Sequence, residues 1–304
     1  MMQNKDMPYQ QLGKSDLIIS QIGFGTMSLG TNQKEFNYLI NQAIDKGINY
    51  FDTADIYDNG FNETNLGKII KHKRQGLIIA TKVGNQFKTD GNGLEWNPSK
   101  KHMLLAVEQS LLRLQTDYID LYQLHGGTIE DNIDETIEAF ELLKQQGKIR
   151  HYGISSIRPN VIREYVQRSN IVSVMMQFSL LDRRPAESCL SLLQQNNIGV
   201  VARGTVAGGL LAGKAAKKYL DYHEAEVTAA ANAIKELKPE FNHLAAKAIQ
   251  YVLTNKAITS AVVGIRTISQ LMEAATAVKA AAINDTEKQI LESSIHPNYY
   301  THHR

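Results

Sequence analysis

Cysteine is almost missing from this chain: Cys189 is the only one in 304 residues. An internal disulfide is therefore excluded, which fits a reducing cytoplasm as the expected location. A charge of one sign is lacking too. Lys and Arg number 33 against 31 Asp and Glu, a formal charge of +2, which gives no electrostatic reason to expect nucleic acid as a partner. No apolar run approaches the roughly 18 residues of a membrane span. The opening MMQNKDMPYQ has no apolar h-region, so no secretory signal and no membrane association are expected. Linkers, internal repeats and low-complexity tracts are also missing. Length alone, at roughly 150 residues per domain, suggests two domains, but α/β barrels spend about 250 on one. The chain is long enough to bury a core without disulfides or metals.

What is present is a regular alternation. Short runs rich in Val and Ile lie at 17–25, 48–52, 77–83, 118–124, 149–155, 171–178, 198–203 and 259–264. They show little polar alternation, as parallel strands covered on both faces do. Between them the apolar spacing is helical: Phe36, Leu39, Ile40, Ala43 and Ile44 precede Gly47, and another helical pattern ends at Gly147. Both glycines are expected just past a helix end. Eight strand–helix units predict one closed (β/α)8 barrel, a TIM barrel of α/β class, as a single domain over 1–304. The surplus goes to an N-terminal β-hairpin turning at Gly13–Asp16 and to loop insertions after strands 3 and 7. The first is the Gly- and Asn-rich 84–97; the second is 212–240, expected to be partly helical.

In such barrels the chemistry sits at the C-terminal strand ends. Asp52 and Tyr57 follow the second expected strand, Lys82 lies in the third and His125 ends the fourth. A phenol, with a reference pKa of about 10, is a poor acid at neutral pH. A nearby ammonium favours its ionised form, a carboxylate holds that ammonium, and an imidazole can orient a substrate oxygen. The set suits proton donation to a carbonyl oxygen. Asp52 and Asp55 also raise a metal reading, but with His125 as the sole further candidate ligand no metal is expected.

On these residues the chain resembles the aldo-keto reductases. D-T-A-x-x-Y, then T-K, then L-H occur in the family's order, and the likeness runs over nearly the whole length. The resemblance implies a (β/α)8 barrel that reduces an aldehyde or ketone with a nicotinamide cofactor, usually NADPH. It implies Asp52, Tyr57, Lys82 and His125 as the catalytic set. It also implies cofactor contacts. Gly25, Thr26 and Met27 would run beside the nicotinamide ribose. Ser155, Ser156 and Gln177 would hold the carboxamide, with Ser156 replacing the usual Asn. Phe178 would stack on the nicotinamide. Gly209 and Leu210 would lie at the pyrophosphate. Before them Arg203-Gly204 replaces the family's usual Tyr-Ser, leaving Arg203 to face a phosphate, the substrate or an ion-pair partner. Gly264, Arg266, Thr267 and Ser269 would meet the 2′-phosphate at a helix start. Gln270 and Glu273 match adenosine contacts, whereas Ala274 replaces an Asn. Trp96 and Phe87 are candidates for the substrate wall.

Other readings stay open. A doubly wound dinucleotide fold is suggested by Gly23-Phe24-Gly25 but lacks the third glycine, Ser28 standing in its place. The chain also resembles NADPH-binding barrel subunits that act as regulatory partners, and a barrel lyase or isomerase is a further possibility. Neither oligomeric state nor substrate identity is legible.

Overall fold

The computed structural model describes residues 7–304. Twelve strands and ten α-helices follow in order. The strands are β1 (Tyr9–Gln11), β2 (Ile18–Ser20), β3 (Ile22–Gly25), β4 (Tyr50–Asp52), β5 (Ile78–Val83), β6 (Asn85–Phe87), β7 (Leu94–Trp96), β8 (Ile119–Leu124), β9 (Ile149–Ser155), β10 (Ser173–Gln177), β11 (Gly199–Arg203) and β12 (Ile258–Gly264). The helices are α1 (Gln33–Asp45), α2 (Phe61–Ile70), α3 (Lys100–Leu114), α4 (Ile133–Gln145), α5 (Pro159–Arg168), α6 (Cys189–Gln195), α7 (Glu224–Glu236), α8 (Leu244–Leu253), α9 (Ile268–Thr276) and α10 (Asp285–Ser293).

Eight strands close into a parallel barrel in the order β10-β11-β12-β3-β4-β5-β8-β9. This is the (β/α)8 barrel that the strand–helix alternation predicts. The run at 17–25 divides at Gln21: its first part is β2 of the antiparallel β1–β2 hairpin and its second part is the first barrel strand. Helix ends follow local chemistry. Asn32 accepts from the N–H groups of Lys34 and Glu35 at the start of α1, Ser99 from His102 at the start of α3, and Gly47 and Gly147 have positive φ just past α1 and α4. Only glycine enters that region without steric cost.

Two apolar clusters divide the strand residues by parity. Tyr50, Ile78, Ala80, Leu121, Met175, Val201 and Val262 fill the inside of the barrel together with Leu12, Leu17 and Ile19 of the hairpin. Phe51, Ile79, Val83, Tyr122, Leu124 and Ala202 face the helices. The hairpin stops the N-terminal end. At Gly13, with φ +54°, an added Cβ would lie 2.4 Å from the Val172 carbonyl oxygen. A side chain there would push the plug out of the barrel.

The first insertion is more ordered than its composition suggests: β6 and β7 pair antiparallel, Asn85 opposite Trp96 and Phe87 opposite Leu94. The second, 212–240, holds α7, which packs against α10, and a short 3-10 segment, Ala207–Ala212, leads into it. Among the described residues no helix is long and apolar enough to cross a membrane.

Candidate active site

Strand parity determines which polar residues turn inward. A strand's side chains alternate between faces. Tyr50 and Ala80 are interior, so Asp52 and Lys82, two residues further along β4 and β5, also point into the barrel, now at its C-terminal mouth. Leu121 does the same for Gln123. There Lys82 Nζ donates to Asp52 Oδ1 at 2.6 Å and to the Thr53 carbonyl at 2.7 Å. Gln123 Nε2 donates to the other carboxylate oxygen at 3.3 Å. Lys82 is 1% exposed. Burial alone would push its pKa down, but the Asp52 carboxylate and the Tyr57 hydroxyl against it outweigh that and hold it above the ordinary lysine value. It is a fixed ammonium.

Tyr57 sits beyond β4 on an unusual turn. Asp58, Asn59 and Gly60 all have positive φ, 49°, 55° and 81°. Asp and Asn tolerate that region better than other side chains, and the turn redirects the chain into α2. The Tyr57 ring lies with its centroid 5.1 Å from Lys82 Nζ and edge-on to His125 at 5.8 Å. Asn62, fully buried at the start of α2, secures the base of this turn. Its Oδ1 accepts from Thr26 and Thr53, and its Nδ2 donates to the Thr26 carbonyl. The His125 imidazole is depressed to about 3 by burial, then by the Lys82 ammonium and the Arg203 guanidinium. It is neutral throughout the physiological range, so it can offer a hydrogen bond but is not a charged acid.

Behind this group, between barrel and helices, lies a second buried polar cluster that no sequence motif announced. Glu63 accepts from Thr81 at 2.6 Å and from Arg113 at 2.7 Å. Asp55 Oδ1 is buried without a hydrogen-bond partner among the described residues. Burial, and then the Glu63 charge, raise its pKa to about 7. The native fold thus holds a proton on Asp55 that the unfolded chain releases near the usual carboxylate value, and stability is lost as pH rises toward 7. Asp55→Asn is therefore expected to gain on the order of 2–4 kcal/mol at pH 8, from roughly three pKa units, with little gain at pH 4. Urea unfolding at the two pH values checks this, and an equal effect at both would contradict it.

The mouth opens into a cavity of about 590 Å³. Asp52, Tyr57, Lys82 and His125 all line it, along with Gly25, Met27, Ser155, Ser156, Arg203, Gly204 and Gly264. Not every expected contact is there. Phe178 is a correction: one residue past inward-facing Gln177, it points outward and stacks on Tyr251 of α8 at 6.2 Å, with 4% exposure. It is core and cannot face a bound ring. Arg203, at the end of the next strand, lines the cavity instead, and its Nη1 donates to Gln177 Oε1 at 3.1 Å. It has no ion-pair partner among the described residues. Gln177 also donates to the Tyr219 hydroxyl, which occupies both ends of its amide. Thr26 does not line the cavity: its hydroxyl is occupied by the Asp52 carbonyl and Asn62 Oδ1, and its own carbonyl accepts from Asn62 Nδ2.

Around the rim, Arg266, Thr267, Ser269 and Gln270 are exposed at the start of α9. Thr267 caps that helix, and Gln270 accepts from the Arg266 N–H. Glu273 is turned to α8, accepting from the Ala245 N–H. Gly209 lies under the Lys214 stem, and Leu210 is buried with only backbone to offer. Trp96 does not line the cavity. Its indole N–H is shared by both oxygens of Asp131, and its ring covers Gly84 and Gly126. Phe87 is 47% exposed on the hairpin, away from the cavity lining. Arg158, Ile157 and Met175, unmarked by any sequence motif, do line it.

A sequence model of the aldo/keto reductase family matches residues 21–295, and the chain belongs to that family of oxidoreductases. It is 50% identical to the uncharacterized oxidoreductase YqkF of Bacillus subtilis (strain 168), over 98% of this chain and 100% of that one. It is similar to the solved holo form of aldo-keto reductase AKR11C1 from Bacillus halodurans, with TM-score 0.92 and 48% identity over 98% and 99% of the two chains. At 31% identity over 69% of this chain and 70% of the other it resembles the NADH-specific methylglyoxal reductase of Escherichia coli (strain K12).

Proposed function

We propose that this chain reduces an aldehyde or ketone to the alcohol, reversibly, with NADPH. The observation that carries the reading is the buried Lys82 ammonium, bonded to Asp52 and set 5.1 Å from the Tyr57 ring at the cavity mouth. The Tyr57 hydroxyl gives its proton to the carbonyl oxygen. Lys82 stabilises the negative charge that develops on the phenol oxygen as the proton leaves, and Asp52 keeps Lys82 in place. The neutral His125 imidazole donates a hydrogen bond that orients the carbonyl. In oxidation Tyr57 takes the proton back.

The cavity suits a nicotinamide cofactor, which supplies the hydride when bound. Three glycines, Gly25, Gly204 and Gly264, line its wall and present backbone there rather than a side chain. Ser155 and Ser156 would hold the carboxamide. Gly264 leads to the exposed start of α9, where Thr267, Ser269 and an Arg266 with no acidic partner among the described residues would take a phosphate. One relative's name specifies NADH, so Arg266 rather than family membership supports NADPH.

Two measurements test this. Absorbance of NADPH should fall on addition of at least some members of an aldehyde, ketone and sugar panel; silence across the panel returns the chain to a nucleotide-binding partner role. NADPH should bind more tightly than NADH, and Arg266→Ala should weaken NADPH by about tenfold, the worth of one charge-assisted contact, without weakening NADH. Equal wild-type affinities would remove the phosphate role.

A further inference from the structure

Arg158 is a cavity residue that the proposed chemistry leaves unused. It stands at the start of α5, where its backbone N–H bonds Ser156 Oγ at 3.2 Å and Pro159 begins the helix. Its Nη1 donates to the Gly127 carbonyl, two residues past His125. That bond places the guanidinium beside the loop after β8. In the closed barrel β8 is four strands from β12 in either direction, so Arg158 lies across the mouth from Gly264 and the start of α9. It is on the imidazole side, not the phosphate side.

The charges of the cavity point the same way. Three cations line it, Lys82, Arg158 and Arg203, against one carboxylate, Asp52. Asp52 and Lys82 compensate each other, and His125 is neutral. Neither arginine has an acidic group within 4 Å among the described residues. Two uncompensated guanidiniums in a concave, largely apolar cavity draw an anion, and the fork of Arg158 matches a carboxylate.

We propose that the substrate is a carbonyl compound bearing a carboxylate, whose anionic end is held by Arg158 while its carbonyl oxygen meets Tyr57 and His125. This rests on the reductase reading above. It adds the substrate class and a specificity-determining residue, and it assigns Arg158 to the substrate rather than to the cofactor.

The test pairs 4-formylbenzoate with its methyl ester, which differ in charge and little in shape. Wild-type kcat/KM should favour the acid by about tenfold or more, the worth of one charge-assisted contact. Arg158→Gln keeps a donor for the Gly127 carbonyl but loses the charge, so the acid-to-ester ratio should fall toward one. Arg158→Lys keeps the charge but not the fork, so it should keep only part of the preference. Calorimetry of 4-formylbenzoate with cofactor-free protein gives an activity-independent readout. Binding should weaken at least about tenfold in Arg158→Gln and with added salt. A wild-type ratio at or below one overturns the proposal, as does an Arg158→Gln protein that loses NADPH affinity while its ratio is unchanged. If neither aldehyde is turned over, the wider panel decides the reductase reading, and the calorimetric comparison decides whether Arg158 holds the anion: unchanged binding in Arg158→Gln overturns the proposal.

Discussion

Tyr57→Phe is expected to lower kcat by about 10²–10⁴-fold, the usual worth of a positioned proton donor, with NADPH affinity nearly unchanged. The variant removes one oxygen and keeps the ring. That ring lies edge-on to His125 and within 5.1 Å of Lys82 Nζ, so the packing that shapes the mouth survives. Lys82 also retains its bonds to Asp52 and Thr53. What is lost is the proton itself, because no other group at the mouth is suited to replace it. His125, depressed to about 3, carries no spare proton at neutral pH, and Lys82 is bound on the inner side of the phenol. Single-turnover kinetics with NADPH already bound checks this. Wild-type turnover in Tyr57→Phe would move the donor role elsewhere, and a parallel loss of NADPH binding would mean that the hydroxyl had been holding the fold of the mouth.

Much of this was legible because barrel strands obey a period of two. The eight apolar runs announced the strands, and parity along β4, β5 and β8 carries Asp52, Lys82 and Gln123 to the inside. The same rule explains the failure at Phe178. Family likeness suggested a stacking ring, yet a residue one step past inward-facing Gln177 must turn outward, and Tyr251 meets it there. The β6–β7 hairpin was hidden for a different reason. Its composition reads as loop, and its order comes from cross-strand register and from Trp96 lying over two glycines, contacts that local composition does not encode. The Glu63–Arg113 pair spans 50 residues, and Arg158 reaches 31 residues back to Gly127. Separations of that size become contacts only once the barrel is closed, so neither the buried cluster nor the cation on the imidazole side had a local signal.

Lys82→Met should cost about 3–5 kcal/mol of stability, because removing one partner of a buried ion pair leaves the other charge uncompensated. Asp52 is 4% exposed, and after the substitution its carboxylate retains only the 3.3 Å bond from Gln123. With the ammonium gone, burial pushes the Asp52 carboxyl further above its ordinary value. A carboxyl raised in the native state contributes stability at low pH and loses it as pH rises, so the penalty should be smaller at pH 5 than at pH 8. The double variant Asp52→Asn with Lys82→Met removes both charges and should recover most of the lost stability, since neutral isosteres of a buried pair are often well tolerated. Turnover should not recover with it, because no cation then stands beside Tyr57 as its proton leaves. Urea unfolding and turnover, measured on the same three proteins, separate the two roles of the pair. Activity restored along with stability would reduce Lys82 to scaffolding, whereas stability without activity leaves it the charge that makes a phenol work as an acid.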